Sequence, residues 1–249
     1  MHKNKTIKDL ERELISLQYY FGTKEQAKAS YTGEHIKESL SEGKRQGQLC
    51  IGGDRWLSED SYAPTYAKYL EAFYIKKKES PFLTICEVGI LKGQGLAIWD
   101  KLFPKSTLIG LDIDISNFLS NFNRLKASGA FADQEVNSDS NKKIKQSSIN
   151  AFLFDSWNKE YNQEKLKTLF SDTKINICID DGDHQDIPQI NTFETILPYL
   201  ANDFVYFIED IKTARSENLK NILSSKFPWV EFTIAGNKNN MIVATRKIS

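Results

Sequence analysis

The sequence predicts a doubly wound α/β fold: a Rossmann-like, seven-stranded, mostly parallel sheet with an antiparallel last strand, preceded by a helical N-terminal extension. Three observations predict it. From Pro81 onward short apolar runs alternate with helix-like stretches, the runs end in acidic or glycine-rich residues, and the chain closes on two apolar runs separated by a cluster of turn residues. With 249 residues, 40% hydrophobic and 12% aromatic, the chain can bury the core that such a sheet needs.

Residues 1–80 read as a helical extension or cap. Leu10, Leu14 and Leu17 share one helical face, and Tyr62, Tyr66, Tyr69 and Phe73 recur at helical steps, a stripe that reads as core rather than as a ring-stacking platform. Residues 81–249 read as the ligand-binding domain. Its expected strands are Phe82–Cys86, Thr107–Leu111, Asn150–Phe154, Ile175–Ile179 and Phe204–Ile208, followed by a hairpin of Trp229–Ile234 and Met241–Thr245 around Gly236 and Asn240. Residues 133–148 (DQEVNSDSNKKIKQSS) have the composition of a flexible polar insert.

Charge and cysteine content exclude several classes. Lys plus Arg and Asp plus Glu balance at 33 each, which removes the long-range field of a nucleic-acid binder. No run approaches the ~18–20 apolar residues of a membrane span, and the opening MHKNKTIKDLERELISL lacks a signal-peptide core, so a cytoplasmic location is expected. Cys50, Cys86 and Cys178 have no metal-knuckle spacing, so neither zinc nor a disulfide is expected.

The first chemical signal is Glu87-Val88-Gly89-Ile90-Leu91-Lys92-Gly93-Gln94-Gly95, a glycine loop between the first strand and a helix. Such glycines let backbone approach a ligand closely. The spacing G-x-x-x-G-x-G is not the dinucleotide fingerprint, and the Glu87 carboxylate suits a ligand bearing an ammonium group better than a pyrophosphate. The second strand ends at Asp112, where a carboxylate typically accepts ribose hydroxyls, with Asp114 as a nearby competitor. Asp155, after the third run, is placed either for an adenine amino group or as a helix cap.

The second signal is the pair Ile179-Asp180-Asp181-Gly182-Asp183-His184 and Ile208-Glu209-Asp210. Neighbouring strands lie about 4.8 Å apart, so if these runs are adjacent their terminal acids converge. Converging carboxylates raise one another's pKa values, and an oxygen-preferring divalent cation such as Mg²⁺ relieves that repulsion. Of the three histidines, His2 lies at a terminus and His35 in a polar stretch, whereas His184 sits among the acids, where an imidazole can serve as general base. The bland alternatives are a helix cap for Asp183 and a solvated surface for His184.

These residues resemble a class I S-adenosylmethionine-dependent methyltransferase. EVGILKGQG resembles the family's first motif, IGLDID its second, and the strand–turn–strand ending in NNMIVATRK its reversed final strands. More narrowly, DDGDHQDIPQINTF with FVYFIEDIKT is similar to the DDGSH…TF…IED pattern of the magnesium-dependent macrolide-sugar O-methyltransferases, and GGDRWLSEDSYAPTY is similar to that group's Gly-Thr-Asp-Lys…Tyr…Tyr segment. The similarity spans about residues 50–249. It implies Asp181, Glu209 and Asp210 as Mg²⁺ ligands and His184 as base. It implies Glu87, Gly89 and Asp112 around S-adenosylmethionine, with Asp180 supporting Asp181 from behind; Gly93 of the glycine loop and Asp155, ranked below Asp112, are expected beside the same ligand from the residue reading above. Asp183 replaces the family's serine, Pro188 stands where a second histidine often occurs, and Asn202-Asp203 replace a glycine pair, departures that bear on the acceptor.

The resemblance implies methyl transfer to a hydroxyl of a sugar, a glycosylated molecule or a polysaccharide precursor. Rival readings are a catechol-like small-molecule O-methyltransferase, a nicotinamide-dependent oxidoreductase and a non-catalytic donor-binding scaffold. The partner is a small molecule or glycan rather than nucleic acid, and the N-terminal helices cap the site or build a homo-oligomer interface.

Overall fold

In a computed structural model, residues 2–21, 62–76, 82–132, 134–236, 238 and 240–247 are described. Each expected apolar run forms a strand: β1 (Thr84–Val88), β2 (Thr107–Asp112), β4 (Ile149–Leu153), β5 (Ile175–Asp180), β6 (Leu200–Ile208), β7 (Val230–Ala235) and β8 (Met241–Arg246). The described helices are α1 (His2–Phe21), α2 (Ala63–Lys76), α3 (Gln94–Leu102), α4 (Ser116–Ala127), α5 (Lys159–Phe170), α6 (Asp186–Ile196) and α7 (Thr213–Lys226). His35, Cys50, the whole segment 52–61 and the turn residues 237 and 239 lie outside the described residues.

The sheet has eight strands, not seven, in the order β3-β4-β2-β1-β5-β6-β8-β7. The additional strand, β3 (Val136–Asn137), comes from the segment expected to be a flexible insert and runs parallel to β4. One buried amide holds that segment. The Asn150 side chain accepts from Lys145 N–H at 2.8 Å and from Asn137 Nδ2 at 3.0 Å, and donates to the Lys145 carbonyl at 2.9 Å. Composition pointed elsewhere because the many polar side chains face solvent, leaving Ile144 as the buried apolar anchor.

Period-two alternation sorts strand residues onto two cores. Ile85, Ile177, Ile179, Val205 and Phe207 face α1 to α4, whereas Cys86, Val88, Cys178, Tyr206 and Ile208 face α5 to α7. The N-terminal helices therefore lie in the first layer, with Tyr66 stacked on Phe207 of β6 at a ring-centroid distance of 4.2 Å. Tyr62, Tyr66 and Phe73 are buried, as a core stripe requires. Cys86 and Cys178 are free thiols at facing positions of β1 and β5. No described helix is long and apolar enough to cross a membrane.

The parallel registers bring the C-terminal strand ends level. Val88 pairs with both Leu111 and Asp180, and Asp180 pairs with Ile208. The ladder continues one step further, through Gly89 N–H to the Leu111 carbonyl at 2.8 Å, Asp181 N–H to Val88 at 2.9 Å and Glu209 N–H to Asp180 at 2.9 Å.

Candidate functional site

Strand order reverses between β2 and β5, on either side of β1, and in open α/β sheets that reversal leaves a crevice at the carboxyl ends of the strands. A cleft of about 620 Å³ occupies this position, a size suited to a cofactor. Six of the candidate residues line it: Gly89, Asp112, Asp155, Asp181, His184 and Asp210. Glu87, Gly93, Asp180 and Glu209 do not.

Gly89 makes the cleft floor possible. It turns at φ +83°, and a Cβ there would lie 2.0 Å from the Asp181 carbonyl oxygen, so only glycine allows the two loops to pass this closely. Beside it, the two oxygens of Asp112 accept the N–H groups of Leu91 at 2.9 Å and Asp114 at 3.0 Å, which holds the carboxylate at the rim. Asp114 is turned to its own helix, where the Ser116 hydroxyl and N–H hold its carboxyl below the usual range. Asp155 accepts Trp157 N–H at 3.0 Å and is not a helix cap; Asn158 caps α5, accepting from Tyr161 N–H. Asp183 is likewise no cap: it accepts from the Trp157 indole.

The acids of β5 and β6 converge in part. Ligand atoms of Asp181, His184 and Asp210 lie within 4.8 Å of one another, at the end of the cleft opposite Asp112 in the strand order, where all three have solvent access. Two carboxylates at this separation offer oxygen donors that a hard divalent cation can share, with the imidazole beside them. His184 Nε2 lies 3.7 Å from Asp210 Oδ2, and its backbone carbonyl accepts from Arg215 at 2.6 Å. Asp210 adopts φ +53°. Its Oδ1 accepts the Tyr62 hydroxyl at 2.7 Å; burial, with Glu209 and Asp210 alongside, pushes this phenol far above its ordinary pKa, so it remains a donor.

Strand alternation explains why the other candidates lie elsewhere. Glu87 shares the face of Ile85, accepts the Trp99 indole N–H at 3.0 Å, and fills the space that a Gly95 side chain would need. Glu209 is 1% exposed and accepts the Tyr66 hydroxyl at 2.5 Å, so its carboxylate is not in the converging group. Asp180 points to the opposite face, where burial pushes its carboxyl up to about 8 and Tyr206 lies 3.4 Å from Oδ2. Gly93 starts α3, and a Cβ there would meet the Phe118 ring at 2.3 Å, a helix-packing constraint.

Three cleft features were not singled out in the sequence. Trp157 and Ile113 are exposed apolar residues on its wall, and Tyr62 stands behind Asp210. The signal for the first two was a large apolar residue just past an acidic strand end; nothing in the tyrosine stripe distinguished Tyr62 from its neighbours. A second cleft of about 680 Å³ shares Trp157, Asp183 and His184 with the first and continues past Ile187 to Lys212 and Arg215.

No protein-family model and no curated protein matches the sequence. Solved structures do match. The MycE methyltransferase of the mycinamycin biosynthetic pathway, in complex with Mg and SAH, superposes with a TM-score of 0.50 at 15% identity, over 74% of this chain and 49% of that one. The O-methyltransferase from Bacillus cereus in complex with SAH gives 0.50 at 14% identity, over 77% and 84%. The chain thus spans about half the length of MycE. Strand order, the reversed β8 and these superpositions together establish that the protein has the Rossmann-like fold of the class I S-adenosylmethionine-dependent methyltransferases.

Proposed function

We propose that this protein transfers a methyl group from S-adenosylmethionine to a hydroxyl of a sugar or glycosylated acceptor, with a divalent cation, Mg²⁺, at the acceptor side. The observation that carries this reading is the meeting of Asp181, His184 and Asp210 at one end of a cleft whose other wall holds Gly89, Asp112 and Asp155. The sulfonium of a bound donor supplies an activated methyl carbon, and a bound divalent cation supplies a Lewis acid toward the acceptor oxygens.

The residues then divide the work. Asp112 accepts ribose hydroxyls, Asp155 faces the adenine amino group, and the exposed Ile113 and Trp157 offer apolar faces to the base. Gly89 brings backbone against the donor, while Glu87 and Gly93 hold the loop from below. Asp181 and Asp210 hold the cation, with Glu209 buried behind them and Asp180 beneath Asp181. His184, open to solvent between the two clefts, takes the proton from the acceptor hydroxyl as the oxygen–carbon bond forms and the carbon–sulfur bond breaks. The second cleft mixes an indole face with Gln185, Asp186, Lys212 and Arg215, a lining that suits a polyhydroxylated ring better than a catechol. The nicotinamide reading is not favoured, since the structural neighbours are SAH-bound methyltransferases.

Calorimetric titration with S-adenosylhomocysteine and NADH, followed by a transfer assay with labelled donor and Mg²⁺ over nucleotide-linked sugars, glycosides and catechols, tests the reading. Binding of the former and cation-dependent labelling of a sugar are expected. Binding of NADH alone would overturn it, and labelling of catechols alone would replace the acceptor class.

A further inference from the structure

We propose that Tyr62 is the positioning residue of the cation site: its hydroxyl fixes one oxygen of Asp210 so that the other faces His184 and Asp181. This rests on the cation reading above. Asp210 lies in the loop just past the end of β6 as a half-exposed side chain, one that ordinarily samples several rotamers and loses that freedom on binding an ion. Its backbone is also in the left-handed region at φ +53°, which a non-glycine residue holds only when its surroundings impose it.

Tyr62 imposes both. Its hydroxyl donates to Asp210 Oδ1 at 2.7 Å and accepts the Asp210 backbone N–H at 3.2 Å, so a single oxygen ties the side chain to its own main chain. The phenol is itself held. Asn240 Nδ2 donates to it at 2.8 Å, and the Asn240 carbonyl accepts Ile211 N–H at 2.9 Å, which fixes the turn on its other side. Tyr62 is 4% exposed, so this bond competes little with water. The remaining oxygen, Oδ2, is the one 3.7 Å from His184 Nε2.

One helical turn further on, Tyr66 bonds Glu209. The start of α2 therefore separates two consecutive acids, one held inside and the next presented to the cleft. Tyr62 touches none of the reacting groups in this arrangement; it acts through Asp210.

The test is Mn²⁺ binding, read by electron paramagnetic resonance in the presence of S-adenosylhomocysteine, on the full chain, Tyr62→Phe and Asn240→Ala. Removing an outer partner of a metal-binding carboxylate typically costs about 10- to 100-fold in affinity. Tyr62→Phe is expected to weaken Mn²⁺ binding by about that factor, with S-adenosylhomocysteine affinity within about twofold of the parent, and Asn240→Ala to shift it the same way by less. Unchanged Mn²⁺ affinity in a folded Tyr62→Phe chain, or equal loss of both ligands, overturns the inference. If Tyr62→Phe does not fold, Asn240→Ala decides by the same criterion. Absence of Mn²⁺ binding by the unaltered chain overturns the cation reading and this inference together.

Discussion

The indole N–H of Trp157 donates to Oδ2 of Asp183 at 2.8 Å, joining the loop after β4 to the loop after β5 across the mouth of the cleft. A half-exposed tryptophan is otherwise free to turn, so this bond sets where its face lies. It also gives a physical role to an aspartate at the position where the similar family has serine.

Trp157→Ala removes an apolar wall that the donor base is expected to meet. Base–aromatic stacking is worth about 1–3 kcal/mol, so S-adenosylhomocysteine binding should weaken by one to two orders of magnitude in calorimetric titration. Asp183→Ala keeps the ring but frees it, and should cost less. Equal affinity in Trp157→Ala and parent would remove Trp157 from the donor site.

Substitutions at His184 and Asp181 separate the proton removal proposed for one from the cation binding proposed for the other. His184→Ala should retain donor affinity while turnover falls by about 10²–10⁴, the range for a positioned general base. Asp181→Asn keeps the shape but halves the carboxylate set that converges with His184, so a higher Mg²⁺ concentration should be needed for half-maximal rate. Full activity in both variants would contradict the roles assigned to them.

Asp180 makes stability depend on pH in the metal-free chain. Its carboxyl is raised from 3.8 to about 8 in the folded state, chiefly by burial. Between these values the folded chain keeps a proton that the unfolded chain releases, so the contribution of this group is fully present below about 4 and is lost as pH rises through about 8. Asp180→Asn, neutral at every pH, should be less sensitive than the parent to a rise from pH 5 to 9 in urea unfolding. An identical pH slope in the two chains would show that Asp180 does not titrate this way.

Much of this arrangement was legible in the sequence because its physics is local. Apolar runs stopped by Asp112, Asp180 or Glu209 mark strand ends, and the seven runs expected from them are strands in the structure. The direction of each acid at the strand end was less legible. Glu209 and Asp210 are adjacent in sequence, yet their separation depends on Tyr66, Tyr62 and a left-handed backbone angle, contacts across more than 140 positions. Strand β3 escaped notice for a related reason: its hold comes from Asn150, which lies outside the polar segment that it fixes.

Tyr66→Phe isolates one of those distant contacts. The substitution keeps the ring stacked on Phe207 but removes the hydroxyl that Glu209 accepts from, in a region where both residues are buried. Removing one partner of a buried hydrogen bond costs about 1–3 kcal/mol, more than the bond contributes net, because the acceptor is left without it and without water. Urea unfolding of the metal-free chain should therefore show a lower midpoint with an unchanged slope. A midpoint equal to the parent's would mean that Glu209 is satisfied by its other neighbours, and the tyrosine would then serve packing alone.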